Sequence, residues 1–246
     1  MQSTTPFAFK PILDQSLKHV VTTRGSVSNM YEILSRATIN PFISTQQAWE
    51  QDLDIQLPAE QWETTWRKSI ALSRCTRYRV IQFKIMCRAY ITPSRLSKMS
   101  REVSDRCWHN CGGPGTLIHL LWSCPSIKQF WSNVVGVLTD MMDVQIPLCP
   151  TFCLLGIKHE NVKSNVVHKL VHLGFLSAKR IILMNWRTQK PSCFAIQAWL
   201  KDYLDLLSME RATNLFLDFE RDTQGYWDMA RAFIDSNHQY ITNSNV

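Results

Sequence analysis

Between Thr64 and Arg101 this 246-residue chain has no acidic residue, although it carries 20 Asp and Glu in all. Ten cations fill the same stretch: Arg67, Lys68, Arg74, Arg77, Arg79, Lys84, Arg88, Arg95, Lys98 and Arg101. Taking these from the 27 Lys and Arg leaves 17 against 20 acidic residues, a balance of −3, so one segment holds the whole positive excess of +7. Charge segregated in this way is the usual footprint of a nucleic-acid surface. A calmodulin-type or anionic-lipid surface is the remaining reading of a basic helix.

Other absences narrow the function further. No run of about 18 apolar residues is free of charge or proline: the richest, 144–157 and 166–186, are broken by Pro147 and Pro150 or by Lys169, Lys179 and Arg180. No membrane association is therefore expected. The opening MQSTTPFAFK has no charged region leading into an apolar run, so a secretory signal is not expected either. There is no internal repeat, no phosphate loop, no dinucleotide fingerprint and no nucleophile elbow. His168 and His172 have helical spacing, but Lys169 stands where a zinc protease has its glutamate, and the pair reads as a surface pair. Asp218, Glu220 and Asp222 precede a glycine, Gly225, that comes too late for a calcium loop. Asp202, Asp205, Glu210 and Asp218 read as a solvated face rather than a two-metal cluster. The chain is expected not to be an enzyme.

What is present is an array, Cys107-x₃-Cys111-x₇-His119-x₄-Cys124. Three thiolates and an imidazole are the donors of a closed tetrahedral zinc site, and two close pairs bracketing a turn are how short segments build one. Gly112, Gly113, Pro114 and Gly115 can reverse the chain between the pairs. Pro125 places Cys124 at the start of the next helix, where free N–H groups favour a thiolate. His109, inside the first pair, is a competing ligand. With all four positions filled by protein, such a zinc is structural. Cys75, Cys87, Cys149 and Cys193 lie among apolar neighbours and read as buried thiols, which points to a reducing, intracellular compartment; nuclear or cytoplasmic residence stays open.

The hydrophobic content of 45%, with 9 Trp and 11 Phe, is that of a globular protein. Periodicity predicts a mainly α, bundle-like fold with a small zinc-stabilised turn. Residues 1–27 read as a weakly ordered leader, 28–105 as a helical region with a basic helix, 106–142 as the Cys/His segment and its helix, and 143–246 as a C-terminal helical region. Within these, helices are expected from Ser28, with a break at 39–44 around Pro41; over 60–72; over 74–90; over 125–142; over 162–186, interrupted near Gly174; over 192–219; and over 227–234. In the 74–90 helix, Arg74, Arg77, Lys84 and Arg88 share one side, while Val80, Phe83, Met86, Cys87 and Tyr90 form the apolar side; Arg79 falls on that apolar side. Trp108, Trp122 and Tyr90 are candidates for base stacking, with core packing the favoured role for Trp122.

Four blocks resemble the C-terminal part of the reverse-transcriptase polyprotein of non-LTR retrotransposons, the long interspersed elements. TRYRVIQFKIMCRAYITPSRLSKM (76–99) is similar to that family's basic segment, and RCWHNCGGPGTLIHLLWSCPSIKQFWSNVV (106–135) to its cysteine-rich segment. PLCPTFCLLGI (147–157) and AKRIILMNWRTQKPSCFAIQAWLKDYL (178–204) are similar to the linker and helices beyond that segment. The resemblance covers about 28–236. It implies an RNA- or DNA-contacting module, RNA favoured, with Cys107, Cys111, His119 and Cys124 as zinc ligands. Arg74, Arg77, Arg79, Lys84, Arg88, Arg95, Lys98 and Arg101 are the expected nucleic-acid contacts. The family's polymerase and endonuclease lie upstream, and the paired aspartates of the polymerase do not occur here. The alternatives are a helical interaction module that docks onto a reverse-transcriptase domain in trans, or a pseudogene-derived fragment without activity.

Overall fold

A computed structural model describes residues 41–187 and 195–216, together with 228 and 232. The chain divides into two compact units, 1–49 and 50–246, and of the first only 41–49 is described. The expected leader, the helix from Ser28 and the helix over 227–234 lie outside the described residues, apart from Asp228 and Ala232, as does Cys193. The described residues are mainly helical and contain no strand: α1 Pro41–Leu53, α2 Ala59–Ala71, α3 Thr76–Met86, α4 Pro93–Met99, α5 Pro125–Met142, α6 Asn165–Met184 and α7 Ile196–Phe216. Two π-helical turns, His119–Ser123 and Thr151–Leu155, complete them.

Pro41 is the first described residue of α1, where a proline lacks only an N–H that would go unbonded at a helix start; the helix expected before it lies outside the described residues. In the second unit α6 is the hub, packing on α3, α5, α7 and both π turns. Its burial runs nearly all round, through Leu170, Val171, Leu173, Phe175, Leu176, Ala178 and Ile182, as a central helix requires. Gly174 does not interrupt it. A Cβ there would meet Leu138 at 3.0 Å and Trp199 at 3.5 Å, so the glycine lets α5 and α7 close in from two sides. Trp199 Nε1 then donates to the Gly174 carbonyl at 2.9 Å, and Tyr203 Oη donates to that of Leu170 at 3.0 Å. Helix α5 buries Ile127, Phe130, Trp131, Val134, Leu138 and Met141 along one stripe, as its periodicity predicts.

Helix α3 departs from expectation in both length and phase. It covers only Thr76–Met86 and ends in a reverse turn, with Ala89 N donating to Lys84 O and Arg88 N to Ile85 O, both at 2.8 Å. That bond pair puts Arg88 in the left-handed region (φ 53°), a position glycine usually takes. The buried face is Tyr78, Gln82, Ile85 and Met86, while Val80 and Phe83 are 43% and 47% exposed. Polar partners from distant helices set this phase. Tyr78 Oη donates to Asp202 Oδ2 at 2.8 Å. Gln82 accepts from Lys179 Nζ at 2.6 Å and donates to Leu154 O at 3.1 Å. Arg79 therefore lies on an exposed face. Lys179 is fully buried, and desolvation lowers its ammonium to about 7 against the nearby Cys153, which opposes the shift.

The remaining polar expectations are corrected by burial. His168 and His172 are not a surface pair: their rings lie 4.2 Å apart against Phe152, and His172 is 1% exposed. The acids of α7 are not all solvated. Asp205 is exposed, but Asp202 ties together Tyr78, Ser177 and Arg180, and Glu210 is 1% exposed. Glu210 Oε1 accepts from Ser73 Oγ and Arg74 N, both at 2.6 Å, and from Cys75 N at 3.3 Å, fastening the α2–α3 turn to α7. Cys75, Cys87 and Cys149 are half-exposed; of the described thiols outside the array, Cys153 is the one in the core. No helix among the described residues is long and apolar enough to cross a membrane.

Candidate metal centre

The array folds as a tight reversal. Cys107 N donates to Gly113 O at 3.0 Å and Gly115 N to Asp105 O at 2.7 Å, on either side of an isolated antiparallel bridge between Arg106 and Pro114. Asn110 (φ 55°) and Gly112 (φ 76°) turn the chain between them. Gly113 is fixed by contact instead of by φ. A Cβ there would stand 2.4 Å from His119 Cε1, so the imidazole lies directly on the glycine. Gly115 meets Pro93 in the same way, at 2.3 Å, and its carbonyl accepts from Ser94 N at 3.1 Å. The reversal is thereby joined to the first turn of α4, which carries Arg95 and Lys98.

The second ligand pair depends on the first π turn. Thr116 Oγ1 accepts from His119 N at 3.3 Å, and Cys124 N donates to His119 O, five residues back, at 2.8 Å. In an α-helix a five-residue step would put the two side chains about 140° apart. The wider i to i+5 turn returns them to one side, which is what an x₄ spacing needs. Cys124 then takes the N-cap position of α5, with Pro125 as its first residue.

The four donor atoms converge. Cys107 Sγ and Cys124 Sγ are 3.8 Å apart, Cys124 Sγ and Cys111 Sγ 3.7 Å, and Cys111 Sγ and His119 Nε2 3.1 Å. All four lie within 4.8 Å of one another and can hold a metal ion. A tetrahedron with bonds of about 2.3 Å has edges of about 3.8 Å, so the Cys107–Cys124 and Cys111–Cys124 pairs already match, while the Cys111–His119 pair is short. His109 is not part of the cluster. Its ring Nδ1 lies 3.4 Å from Cys124 Sγ and its backbone N–H donates to Cys107 Sγ at 3.4 Å, so it supports two ligand sulfurs from outside.

Burial shapes the acidities. It pushes the Cys107 thiol up to about 12 and raises Cys124 despite hydrogen bonds from Ser126 that lower it. Burial also raises Cys111, but hydrogen bonds from the Gly113 backbone and the neighbouring thiols outweigh it and carry that thiol below its ordinary value. Burial lowers His119, leaving a neutral imidazole whose lone pair is available to a metal. Gly113→Ala should displace the His119 ring and lower Co(II) affinity about tenfold or more, by analogy with misplaced ligands in other sites. Titration by visible absorbance would show it, and an unchanged affinity would mean that the ring does not need its seat on the glycine.

The basic residues are distributed unevenly. Arg74, Arg77, Arg79, Lys84, Arg95, Lys98 and Arg101 are exposed. Arg88 is set apart: its guanidinium pairs with Asp52 at 2.5 Å and is only 23% exposed. Arg95 Nη1 donates to the carbonyls of Arg88 and Tyr90, at 2.8 and 3.3 Å, and so helps to hold the turn after α3. Tyr90 and Trp108 each have one side against Trp186, at 5.6 and 6.0 Å between ring centres, and the Arg187 guanidinium lies 5.2 Å over the Trp108 ring. Trp122 packs on Trp131 at 5.3 Å. Sequence reasoning passed over Lys158 and read His168 as part of a surface pair, whereas Lys158, His168 and Lys169 share a cleft with Lys68 and Arg74; the sequence signal was that all five are basic or ionisable. No protein-family model matches the chain.

Proposed function

We propose that the chain is a non-catalytic nucleic-acid-binding module, RNA favoured over DNA, with structural zinc held by Cys107, Cys111, His119 and Cys124. It corresponds to the C-terminal segment of a non-LTR retrotransposon polyprotein, as a fragment or a free-standing copy. The observation that carries this reading is the acid-free stretch from Thr64 to Arg101, whose exposed cations run from α3 through α4 to a four-donor knuckle abutting α4. A donor set of three sulfurs and one nitrogen with no open position suits zinc as a cross-link and leaves no place for a reacting water. Each lysine or arginine that neutralises a phosphate releases a counterion and so makes binding salt-dependent.

Fluorescence anisotropy of the whole chain against single-stranded RNA and duplex DNA, with and without a chelator, tests it. A log–log salt slope of about −3 to −5 is expected, with RNA bound more tightly and the chelator weakening binding. Absence of saturable binding at low salt would overturn the reading. A docking module for a reverse-transcriptase domain in trans is the second reading. It is favoured by exposed Val80, Phe83, Ile91 and Met99, the last two 52% and 78% exposed, on the same segment. Self-association without nucleic-acid binding would support it.

A further inference from the structure

The cleft between α2 and the start of α6 has a volume of about 850 Å³ and is predominantly basic. Lys68 and Arg74 come from one wall, Lys158 and Lys169 from the other, and Glu60 is the one acid on its lining among the described residues. Glu210 lies behind Lys169 and acts on it electrostatically, so four cations face two carboxylates and the local balance is +2. A cleft that size falls within the range of about 300–1,000 Å³ that holds small-molecule units, not only bare ions.

Two features fit an anion with directional acceptors. Lys158 Nζ is held by Lys163 O at 3.0 Å and Asn165 Oδ1 at 2.9 Å, which fixes the ammonium at the N-terminal end of α6, where the helix dipole adds to its field. His168 lines the cleft one turn further on. Its Nε2 is shut off from solvent and has no hydrogen-bond partner among the described residues, an unusual state for a buried ring nitrogen. Burial, with Lys158 and Lys68 nearby, lowers this imidazole to about 4, so it is neutral and leaves the charge of the cleft to the lysines and Arg74. Thr64 and Gln61 supply neutral donors on the α2 side.

We propose that this cleft is a phosphate-binding site that takes a backbone phosphodiester of a nucleic acid, with Lys68 and Lys158 as its contacts. The proposal rests on the nucleic-acid reading above. It adds a second point of attachment, built from residues far apart in sequence and separate from the cations of α3 and α4.

The test compares the whole chain with K68Q/K158Q and with the charge-matched control K201Q/R211Q, using anisotropy against single-stranded RNA at several salt concentrations. Circular dichroism and melting confirm that each variant folds. In the cleft variant the salt slope should become shallower by about 1.4, the value for two neutralised phosphates on a single strand, and affinity at low salt should fall about tenfold; the control should lose much less. Equal losses in both variants, or no loss in the cleft variant, would overturn the site while leaving the nucleic-acid reading standing. A wild-type chain that binds no RNA would overturn both.

Discussion

Replacing Cys124 with serine should abolish tetrahedral metal binding and loosen α5, which begins at the next residue. Apparent metal-binding free energies of structural sites in zinc-finger peptides are about 10–16 kcal/mol. Loss of one ligand of four, about a quarter of that, should therefore lower affinity by about 10²–10³. The damage should spread beyond the knuckle, because Cys124 directly precedes α5 and lies among fully buried neighbours Leu120, Leu121 and Ile127. Trp131 Nε1 donates to Leu121 O at 2.8 Å, so α5 is tied back to the π turn that His119 begins. Co(II) titration should show thiolate charge-transfer bands in the wild type and none at stoichiometric metal in the variant, and a chelator should lower the wild-type melting temperature towards that of the variant. A variant that still bound one equivalent with an unchanged spectrum would show that Cys124 is not a ligand.

The second large effect is expected at Glu210. Its Oε1 accepts three hydrogen bonds in a site with almost no solvent, two of them from backbone N–H groups that have moved out of water to meet it. Glu210→Ala would leave those donors facing a void, at a cost of about 3–5 kcal/mol, a large part of the roughly 5–15 kcal/mol that holds a domain folded. Glu210→Gln keeps one carbonyl acceptor and should recover about half. Urea unfolding followed by tryptophan fluorescence measures both. A loss below about 1 kcal/mol for alanine would mean that water replaces the carboxylate.

Where local chemistry decides the structure, the sequence was legible. Pro125 followed by an uninterrupted apolar stripe gives α5 its start and its face, and the expected 125–142 span is the observed one. The four array residues converge because ligand type and spacing are local properties of 18 residues. Legibility ended where a distant partner decides. Val80 and Phe83 are more apolar than Tyr78 and Gln82, so hydrophobicity alone places them inward. Asp202 and Lys179 reverse that choice from 124 and 97 residues away. The Arg74–Arg88 stripe fails for a related reason: Arg74 precedes α3, and Arg88 lies in a left-handed turn beyond it, paired to Asp52. The buried histidines and Glu210 were read as surface because ionisable residues usually are. Only the packing of Phe152, Ser73 and the α2–α3 turn around them says otherwise.

The Glu210 anchor and the knuckle also differ in how much chain each must gather. Sulfur contacts of the knuckle join residues 13 to 17 apart, whereas Glu210 meets Ser73 across 137. The entropy of loop closure grows as about (3/2)RT ln n, so the longer closure costs roughly 1–2 kcal/mol more and has to wait until α7 has been synthesised. During translation the Cys/His reversal and α5 can therefore form while the α2–α3 turn is still unanchored. Maturation of the chain would then run in a fixed order, with the knuckle closed first and the α2–α3 turn locked last.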